Sequence, residues 1–405
     1  MPHAQYLAGW LALATGLFGL LTSTVFLGLV AAGVRRFRAG RRQQEAALHA
    51  EGAPSPRVSM FKPLHGAEPD LEENLRGFYR QDLPDTGAPG FEMLFCARKI
   101  DDPGLQIAAK VAAEFAGVRT KIVTSGEPWA ANAKVCSLAK MAEVAAYDLW
   151  IISDSDVRVG PGYLRAVAAP FRDPQVGAVT CLYRGVAKEG GLWARLEAVG
   201  MSIEMSSGVV VANLLEGMRF VLGPTMAVRR ECVEQMGGFG IMGQYCADDF
   251  ILGDRIAAQG LTVVLSGYVI DHIVLNDSFV NSVKHQVRWM KSTRMSRPKG
   301  HFGTALTFGT PFGLLALAGA SMLGMPWFGA AMLAFSVAGR MLQAWTIGRF
   351  VVQERELWRI CLLFPARDLM GFFFWAMSYG SRRIVWRGEL FELGQAGVMR
   401  PVAKG

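Results

Sequence analysis

An uncharged stretch near the amino terminus, residues 7–34, reads LAGWLALATGLFGLLTSTVFLGLVAAGV. About 20 apolar residues are enough to cross the hydrocarbon core of a bilayer. A cleaved signal peptide is the alternative, but this stretch is long, lacks a basic leader and is followed by RRFRAGRR instead of small residues. We therefore predict an N-terminal transmembrane helix over residues 1–34.

A basic juxtamembrane linker, residues 35–56, follows this predicted span and has five arginines among its first eight residues. Arginines at one end of a span place that end in the cytoplasm, so the globular part that follows is predicted to be cytoplasmic. The formal net charge of +8 could suggest nucleic-acid binding. Because the Lys and Arg residues cluster beside apolar segments, a bilayer surface is the better partner, and we predict no nucleic-acid binding.

Apolar density returns near the carboxyl terminus, where we predict two to three transmembrane helices over residues 304–380. Residues 303–347 are long enough for two spans with a turn near residues 324–326. A third apolar stretch, residues 357–379, contains Arg367 and Asp368, and charges inside a membrane are costly unless they are paired or face a polar cavity. That stretch either spans the membrane or forms a re-entrant or interfacial helix. For residues 381–405 we predict a basic C-terminal tail.

Residues 57–277 alternate short apolar runs with longer helical stretches, beginning VSMFKPL, LEENLRGFYRQ and FEMLFCARK. Strands that alternate with helices indicate an α/β domain with a mostly parallel sheet and helices on both faces. Ligands of such sheets bind at the carboxyl ends of the strands.

Acidic residues follow two of the predicted strands, at the carboxyl ends where ligands of such a sheet bind. Asp154 and Asp156 follow the apolar run 149–153, and Asp102 follows a strand over residues 92–97. A turn would also explain the first pair, since Asp and Ser bond to their own backbone at strand ends. A divalent cation is the alternative, because closely spaced carboxylates supply the oxygen ligands that Mg²⁺ or Mn²⁺ prefers.

A third acidic site, Asp248 and Asp249 in QYCADDF, precedes an apolar helical stretch. Acidic residues at a helix N-terminus also interact favourably with the helix dipole, so this pair alone has a purely structural interpretation. Three acidic sites in one α/β domain indicate a single site that handles a cation and a proton.

Residues 278–303 mix Val, Trp and Met with Lys and Arg, which is the composition of a helix lying in the membrane interface. Trp289 in this segment could be an interfacial anchor only. Residues 204–220 are a candidate second wall of a lipid groove, or else an ordinary buried helix.

Six stretches between residues 58 and 291 together resemble a known pattern: VSMFKPLHGAEPDLEENL, ANAKVCSL, IISDSDVRV, VTCLYRG, QYCADDF and HQVRWMK. The pattern resembles the membrane glycosyltransferases of families 2 and 21, in particular ceramide glucosyltransferase and the bacterial relatives that glycosylate hopanoids. The resemblance implies a GT-A nucleotide-diphospho-sugar transferase fold and location in a bacterial inner membrane.

The resemblance also implies roles for individual residues. Asp102 would help hold the nucleotide, Asp154 would belong to the metal–diphosphate motif, and Asp249 would be the general base. Arg288 and Trp289 would be the Arg-Trp of the (Q/R)-x-x-R-W motif, near the diphosphate and the acceptor. The first position of that motif is His285, where this sequence departs from Gln or Arg, as the hopanoid-directed members also do.

The chemistry of such a transfer suggests further candidates. A metal held by Asp154 or Asp156 would stabilise the leaving diphosphate, and Arg288 could contact it in a bidentate manner. Lys134 could act similarly, although an exposed helical lysine is the simpler interpretation. Asp249 would deprotonate the acceptor hydroxyl, and Asp248 beside it has no assigned role.

These expectations describe an inverting enzyme that moves a hexose from a UDP-sugar to the hydroxyl of a membrane lipid, ceramide-like, with Mn²⁺ or Mg²⁺ as cofactor. The alternative acceptor is a hopanoid, bacteriohopanetetrol, with N-acetylglucosamine as the sugar. A processive polysaccharide synthase is disfavoured because three carboxyl-terminal spans offer little material for a polymer channel. A transporter or noncatalytic membrane scaffold would have no reason to place three acidic sites in a cytosolic domain.

Overall fold

The structure is a computed structural model that describes residues 3–49, 56–82, 90–188, 191–274, 278–386 and 388–402. The chain divides into two compact units. The first consists of Met1–Arg38, Ala187–Leu215 and Asn276–Ile384, and the second consists of Ala39–Val186, Glu216–Leu275 and Val385–Gly405. Parts of the predicted linker, domain and tail lie outside the described residues.

The second unit contains, in its described part, an eight-stranded sheet with the order β3-β2-β1-β4-β7-β6-β8-β5. Its strands are β1 Val58–Pro63, β2 Phe91–Ala97, β3 Arg119–Thr124, β4 Leu149–Ile152, β5 Val157–Arg158, β6 Val176–Val186, β7 Met226–Arg229 and β8 Thr262–Ile273. The pairs β1–β2, β1–β4, β2–β3 and β6–β8 are parallel, whereas β7 and β5 pair antiparallel to their neighbours.

The strands β1, β2 and β4 are buried along their whole length and are mostly apolar, as expected for parallel strands covered by helices on both faces. The helices of this unit are α2 Leu71–Tyr79, α3 Pro103–Glu114, α4 Ala133–Val144, α5 Tyr163–Ala168, α8 Arg230–Gln235 and α9 Asp248–Ala258. The predicted α/β class is confirmed. Because β1 to β4 run parallel, the segments that follow them meet at one edge of the sheet.

The first unit is helical. It contains the first part of α1 His3–His49, then α6 Leu192–Val199, a π-helix Gly200–Met205, α7 Ser206–Leu215, α10 Phe279–Ser296, α11 Pro298–Thr304, α12 Thr310–Met322, α13 Pro326–Phe350 and α14 Leu357–Met377. Residues 187–215 belong to this unit although the sequence placed them within the 57–277 domain. A Cβ at Gly33 of α1 would lie 2.7 Å from Val210 O, so the two helices pack closely.

Within the described residues, three helical stretches are long and apolar enough to cross a membrane: His3–Leu48, Leu192–Leu215 and Leu357–Met377. The pair Pro298–Thr307 and Thr310–Met322, bent by 52°, would be a fourth if it forms one span. The predicted apolar helices at both ends of the chain are therefore present. The prediction for residues 204–220, a wall of a lipid groove or an ordinary buried helix, did not include a membrane-crossing helix here.

The charges inside the third apolar stretch are buried and paired. Asp368 accepts hydrogen bonds from the backbone N–H groups of Gly309 and Thr310 at 2.9 and 2.7 Å, at the start of α12. Arg340 lies 3.7 Å from the Asp368 carboxylate, and Arg367 lies 3.0 Å from Glu204. Residues 357–377 form one continuous helix, and these partners explain how it carries charge among apolar residues.

The segment predicted to be a tail folds, where it is described, into a three-stranded sheet of β9 Arg383–Trp386, β10 Glu389–Leu393 and β11 Met399–Pro401. Phe391 and Leu393 alternate with exposed residues along β10 and are buried. Gly388 and Gly397 both have φ of 81°, which glycine adopts without steric cost. Where the structure describes this segment, it therefore contains short strands instead of the expected tail.

Candidate functional site

Asp154 follows β4 at the sheet edge where β1 and β2 also end, and a buried lysine contacts it there. Lys134 Nζ lies 2.6 Å from Asp154 Oδ1 and 3.8 Å from Asp248 Oδ2. Burial by itself would lower the pKa of Lys134, but the charges of Asp154 and Asp248 outweigh it and raise the pKa. The simpler expectation of an exposed helical lysine is wrong, because the side chain is only 12% exposed.

The position of Lys134 is fixed by the start of α4. Asn132 is the N-cap residue, and its side-chain oxygen accepts a hydrogen bond of 3.1 Å from the backbone N–H of Lys134. Asn at this position satisfies a backbone donor that the helix leaves unpaired. This cap fixes Lys134, the second residue of α4, so that its side chain reaches Asp154 at the end of β4.

Asp249 belongs to the same cluster. Its Oδ2 accepts a hydrogen bond of 2.9 Å from Gly223 N–H, and its Oδ1 accepts one of 2.8 Å from Phe250 N–H. A Cβ at Gly223 would lie 3.4 Å from Asp249 Oδ2 and 3.7 Å from Asp154 Oδ2, so this glycine lies against both carboxylates. The structure therefore brings Asp154 and Asp249 together, as the sequence predicted.

Burial, and next the charge of Asp248, raise the pKa of Asp249 to about 6. Burial also raises the pKa of Asp248. Both residues lie in the first turn of α9, as the structural interpretation of the pair expected. The helix N-terminus and the site coincide, because the dipole of α9 favours negative charge at the point where these carboxylates are needed.

Asp156 lies beside a histidine that the sequence reasoning missed. His272 Nε2 is 3.6 Å from Asp156 Oδ2. Asp156 Oδ1 and His272 Nδ1 are both buried and have no hydrogen-bond partner among the residues that the structure describes. The antiparallel pairing of β5 with β8 places His272 opposite Val157, so only knowledge of that long-range pairing could have found it.

A carboxylate and an imidazole with unsatisfied buried atoms are suitable donors for a divalent metal such as Mn²⁺. The described part of the chain contains no group of three or more His, Cys, Asp or Glu side chains that could hold a metal ion. Asp156 and His272 therefore fit a cation that takes its remaining oxygen ligands from a bound ligand or from water.

A second buried lysine, Lys62 of β1, was also missed. Its Nζ donates hydrogen bonds to Asp154 O at 2.6 Å and to Ser153 Oγ at 3.3 Å, and it lies 3.6 Å from the centroid of the Phe78 ring. Burial, partly opposed by the charges of Asp154 and Asp156, lowers the pKa of Lys62 to about 7. Lys62 thereby fixes the backbone of the turn that follows β4 and carries Asp154 and Asp156.

Asp102 has local structural contacts. It is the N-cap residue of α3: its Oδ1 accepts a hydrogen bond of 2.8 Å from Gly104 N–H, and both of its carboxylate oxygens lie within 3.2 Å of Gly66 N. These bonds tie the loop after β1 to the start of α3. A role of Asp102 in holding a nucleotide stays a prediction.

His285, Arg288 and Trp289 lie on α10 in the first unit. His285 Nδ1 is 2.7 Å from Glu197 Oε1, and the His285 and Trp289 rings are 4.4 Å apart. Glu197 is buried, and its other oxygen accepts a hydrogen bond of 2.7 Å from Ser282. A buried carboxylate thus orients the imidazole, and Arg288 lies half-buried one turn further along the helix.

Comparison with known families gives a match over residues 20–399 to the model described as glycosyl transferase family 21. Ceramide glucosyltransferase 1 of Caenorhabditis elegans is 25% identical over 54% of this chain and 46% of its own length. Ceramide glucosyltransferase 3 of the same organism is 23% identical over 87% of this chain and 76% of its own length. The chain thus spans about half of the first relative and three quarters of the second.

Among solved structures, the mannosyltransferase PcManGT from Pyrobaculum calidifontis in complex with GDP-Man and Mn²⁺ is similar at a TM-score of 0.47 and 18% identity. The similarity covers 86% of this chain and 99% of that one.

Proposed function

The chain belongs to glycosyl transferase family 21, and from that premise we propose that it transfers a hexose from a UDP-sugar to the hydroxyl of a membrane lipid. The observation that carries this proposal is the partly buried cluster of Lys134, Asp154, Asp248 and Asp249 in the α/β unit. The relatives named ceramide glucosyltransferase support ceramide or a similar lipid as the acceptor. The α/β unit would be the GT-A catalytic domain.

The donor would bind at the carboxyl edge of the sheet. As the glycosidic bond to the diphosphate breaks, negative charge grows on the leaving group, and preorganised cations there lower the barrier. Lys134 is our candidate for this role, because its ammonium lies beside Asp154 at the end of β4. The resemblance also gives Arg288 a part in holding the diphosphate, for which a guanidinium is chemically suited, and that role stays a prediction.

Asp156 and His272 would hold the divalent cation, Mn²⁺ or Mg²⁺, and Asp154, two residues before Asp156, stays a further candidate ligand. When bound, such an ion supplies Lewis-acid stabilisation of the diphosphate oxygens. Lys62 would keep the turn that carries both aspartates in place through its bond to Asp154 O.

Asp249 would act as the general base. An alcohol has a very high pKa, so its proton must be removed while the new bond to the sugar forms. Burial raises the pKa of Asp249 to about 6, which makes it a better proton acceptor than an ordinary carboxylate while leaving it ionised at pH 7. Attack from the side opposite the diphosphate would invert the anomeric centre.

The acceptor would reach the enzyme from a bilayer. The apolar helices His3–Leu48, Leu192–Leu215 and Leu357–Met377 would cross the membrane, and α10, which carries basic residues without acidic ones, would lie at its surface. The arginines that follow residue 34 would place the catalytic domain in the cytoplasm.

The proposal is tested with the full chain in detergent by measuring UDP release. UDP-glucose and UDP-N-acetylglucosamine are each combined with ceramide or a polyol hopanoid, with and without Mn²⁺. Release that requires ceramide supports the proposal as stated, and release that requires the hopanoid moves the acceptor to that class. No release above the rate of the Asp249→Asn variant in any combination would reject the activity.

A further inference from the structure

The residues that follow the last apolar helix reach the loop that leads into α9. We call residues 389–401, which contain β10 and β11, the hairpin, and residues 243–247 the aspartate loop. Met399 N–H donates a hydrogen bond to Gln244 O at 2.7 Å, and Cys246 N–H donates one to Gly397 O at 3.0 Å. Between these bonds Tyr245 and Val398 form an antiparallel bridge. The aspartate loop is thus paired with the outer edge of β11.

The opposite side of the aspartate loop is held by α4. Asn132 donates a side-chain hydrogen bond to Tyr245 O at 3.0 Å, and its own backbone N–H donates to Gly243 O at 2.8 Å. Asn132 is the same residue that caps α4 and directs Lys134. The loop therefore has its backbone bonded on one side to the lysine-bearing helix and on the other to the hairpin.

One face of the hairpin is buried, and its pairing with the aspartate loop is limited in length. Phe391, Leu393 and Met399 are buried, which anchors one face of the hairpin in the second unit. Gly397, whose carbonyl accepts from Cys246, has φ of 81°. The next residue along β11 that would offer an N–H to this edge is Pro401, which has none, so the pairing ends after a single bridge.

We propose that the hairpin is a positioning element of the active site, which fixes the aspartate loop and thereby the placement of Asp248 and Asp249. Asp248 is the first residue after the loop, and no regular structure of the loop itself determines where α9 begins. Displacement of a catalytic group by about 1 Å can cost about 10²-fold in rate. This role rests on the proposed function, because it gives the hairpin a part in the same transfer reaction.

The test uses Met399→Pro in the full chain, which deletes the N–H that bonds Gln244 together with the buried Met399 side chain; Met399→Ala, which keeps the N–H, gives the effect of the side chain alone. Val402→Pro is the matched control, because it deletes the bond from Val402 N–H to Leu390 O within the sheet and leaves the aspartate loop untouched. At a temperature well below the melting point of each variant, we expect kcat of Met399→Pro to fall at least tenfold. KM for the UDP-sugar should change less than threefold, and Val402→Pro should stay within twofold of wild type in both.

A purely structural role would lower the melting temperature without this selective loss of kcat, so wild-type kcat in folded Met399→Pro would overturn the proposal. Should that variant fail to fold, Gly397→Ala, which strains the carbonyl that accepts from Cys246, decides in the same way. Hydrogen exchange of peptides covering residues 243–250 gives a readout independent of activity. Exchange faster in Met399→Pro than in Val402→Pro is expected even if the wild type transfers no sugar; equal exchange overturns the positioning role.

Discussion

Lys134 Nζ lies 2.6 Å from Asp154 Oδ1 and so joins the start of α4 to the end of β4. The same ammonium lies 3.8 Å from Asp248 at the start of α9. Elements that are distant in sequence therefore converge on one buried positive charge. Without this cation, the buried Asp248 and the partly buried Asp154 and Asp249 would lie close together with little compensation, which is costly in free energy.

Lys134→Met should therefore impair both the site and the fold around it. Removing one partner of a buried ion pair typically destabilises a protein by about 3–5 kcal/mol. We expect a lower melting temperature, UDP affinity reduced at least tenfold and transfer near the detection limit. Lys140→Met is the matched control, because Lys140 lies on the same helix and pairs with Glu143 at the surface. Equal effects of the two variants in thermal unfolding and UDP binding would contradict the assignment.

Asp249→Asn should abolish transfer while leaving UDP binding nearly intact. Asn keeps the shape and its oxygen can accept the hydrogen bond from Gly223 N–H, but it loses the bond from Phe250 N–H and cannot take a proton. The expected loss of kcat is roughly 10²–10⁴-fold, the usual contribution of a general base. Asp254→Asn on the same helix is the control and should behave like wild type. Loss of UDP binding in Asp249→Asn would move this residue to the donor site.

The raised pKa of Asp249 gives activity and stability opposite dependences on pH. The base must be ionised, so kcat should fall as the pH is lowered through about 6. The folded state, however, binds the proton more tightly than the unfolded state, because burial raises this pKa from its ordinary value of 3.8. Between these two values the stability contributed by this group decreases as the pH rises.

Both dependences can be measured on one preparation, with UDP release for activity and thermal unfolding without metal for stability. Asp249→Asn provides the reference, because Asn does not titrate. The stability difference between wild type and Asp249→Asn should change between pH 4 and pH 6 and level off above it. A difference that is constant over this range would show that Asp249 has an ordinary pKa.

The sequence predicted the parts of this site that depend on local order along the chain. Asp154 and Asp156 follow an apolar strand in the sequence, and Asp248 and Asp249 form an acidic pair ahead of an apolar helical stretch. The rule that ligands meet at the carboxyl edge of parallel strands then predicted that these groups converge. That prediction needed no knowledge of which strands are neighbours.

His272 and Lys62, which the sequence did not reveal as site residues, are brought to the site by contacts between segments that are far apart in the chain. His272 reaches Asp156 only because β8 turns back beside β5, a pairing that joins residues more than 100 positions apart. Lys62 is alone in an apolar strand, and nothing in its neighbours shows that it bonds the backbone of Asp154. The hairpin was taken for a tail because its two short strands carry charges on the exposed face.

His272 is predicted to set the affinity for the divalent cation together with Asp156. His272→Ala removes the imidazole from this pair and should raise the Mn²⁺ concentration needed for half-maximal activity at least tenfold. Asp156→Ala removes the carboxylate of the same pair and should have the same effect. His65→Ala is the control, because that histidine is exposed. An unchanged Mn²⁺ titration in both His272→Ala and Asp156→Ala would reject this metal site.

Asp368→Ala is predicted to destabilise the helical unit more than any exposed substitution there. The Asp368 carboxylate accepts two hydrogen bonds at the start of α12 and is the charged partner of the buried Arg340. Its removal leaves two backbone donors unpaired and an arginine that is 2% exposed without its counter-ion. Because the surroundings are apolar, water cannot easily replace these contacts.

We expect a loss of about 3–5 kcal/mol, the usual cost of breaking a buried ion pair, seen as a lower melting temperature in detergent. Glu356→Ala is the matched control, since Glu356 pairs with Arg359 at an exposed position and should change stability by less than about 1 kcal/mol. Asp368→Asn separates the two contributions: the amide oxygen can still accept at the start of α12, while the charge opposite Arg340 is gone. A melting temperature of Asp368→Asn close to that of Asp368→Ala would assign the stabilisation to the charge, and one close to wild type would assign it to the helix cap.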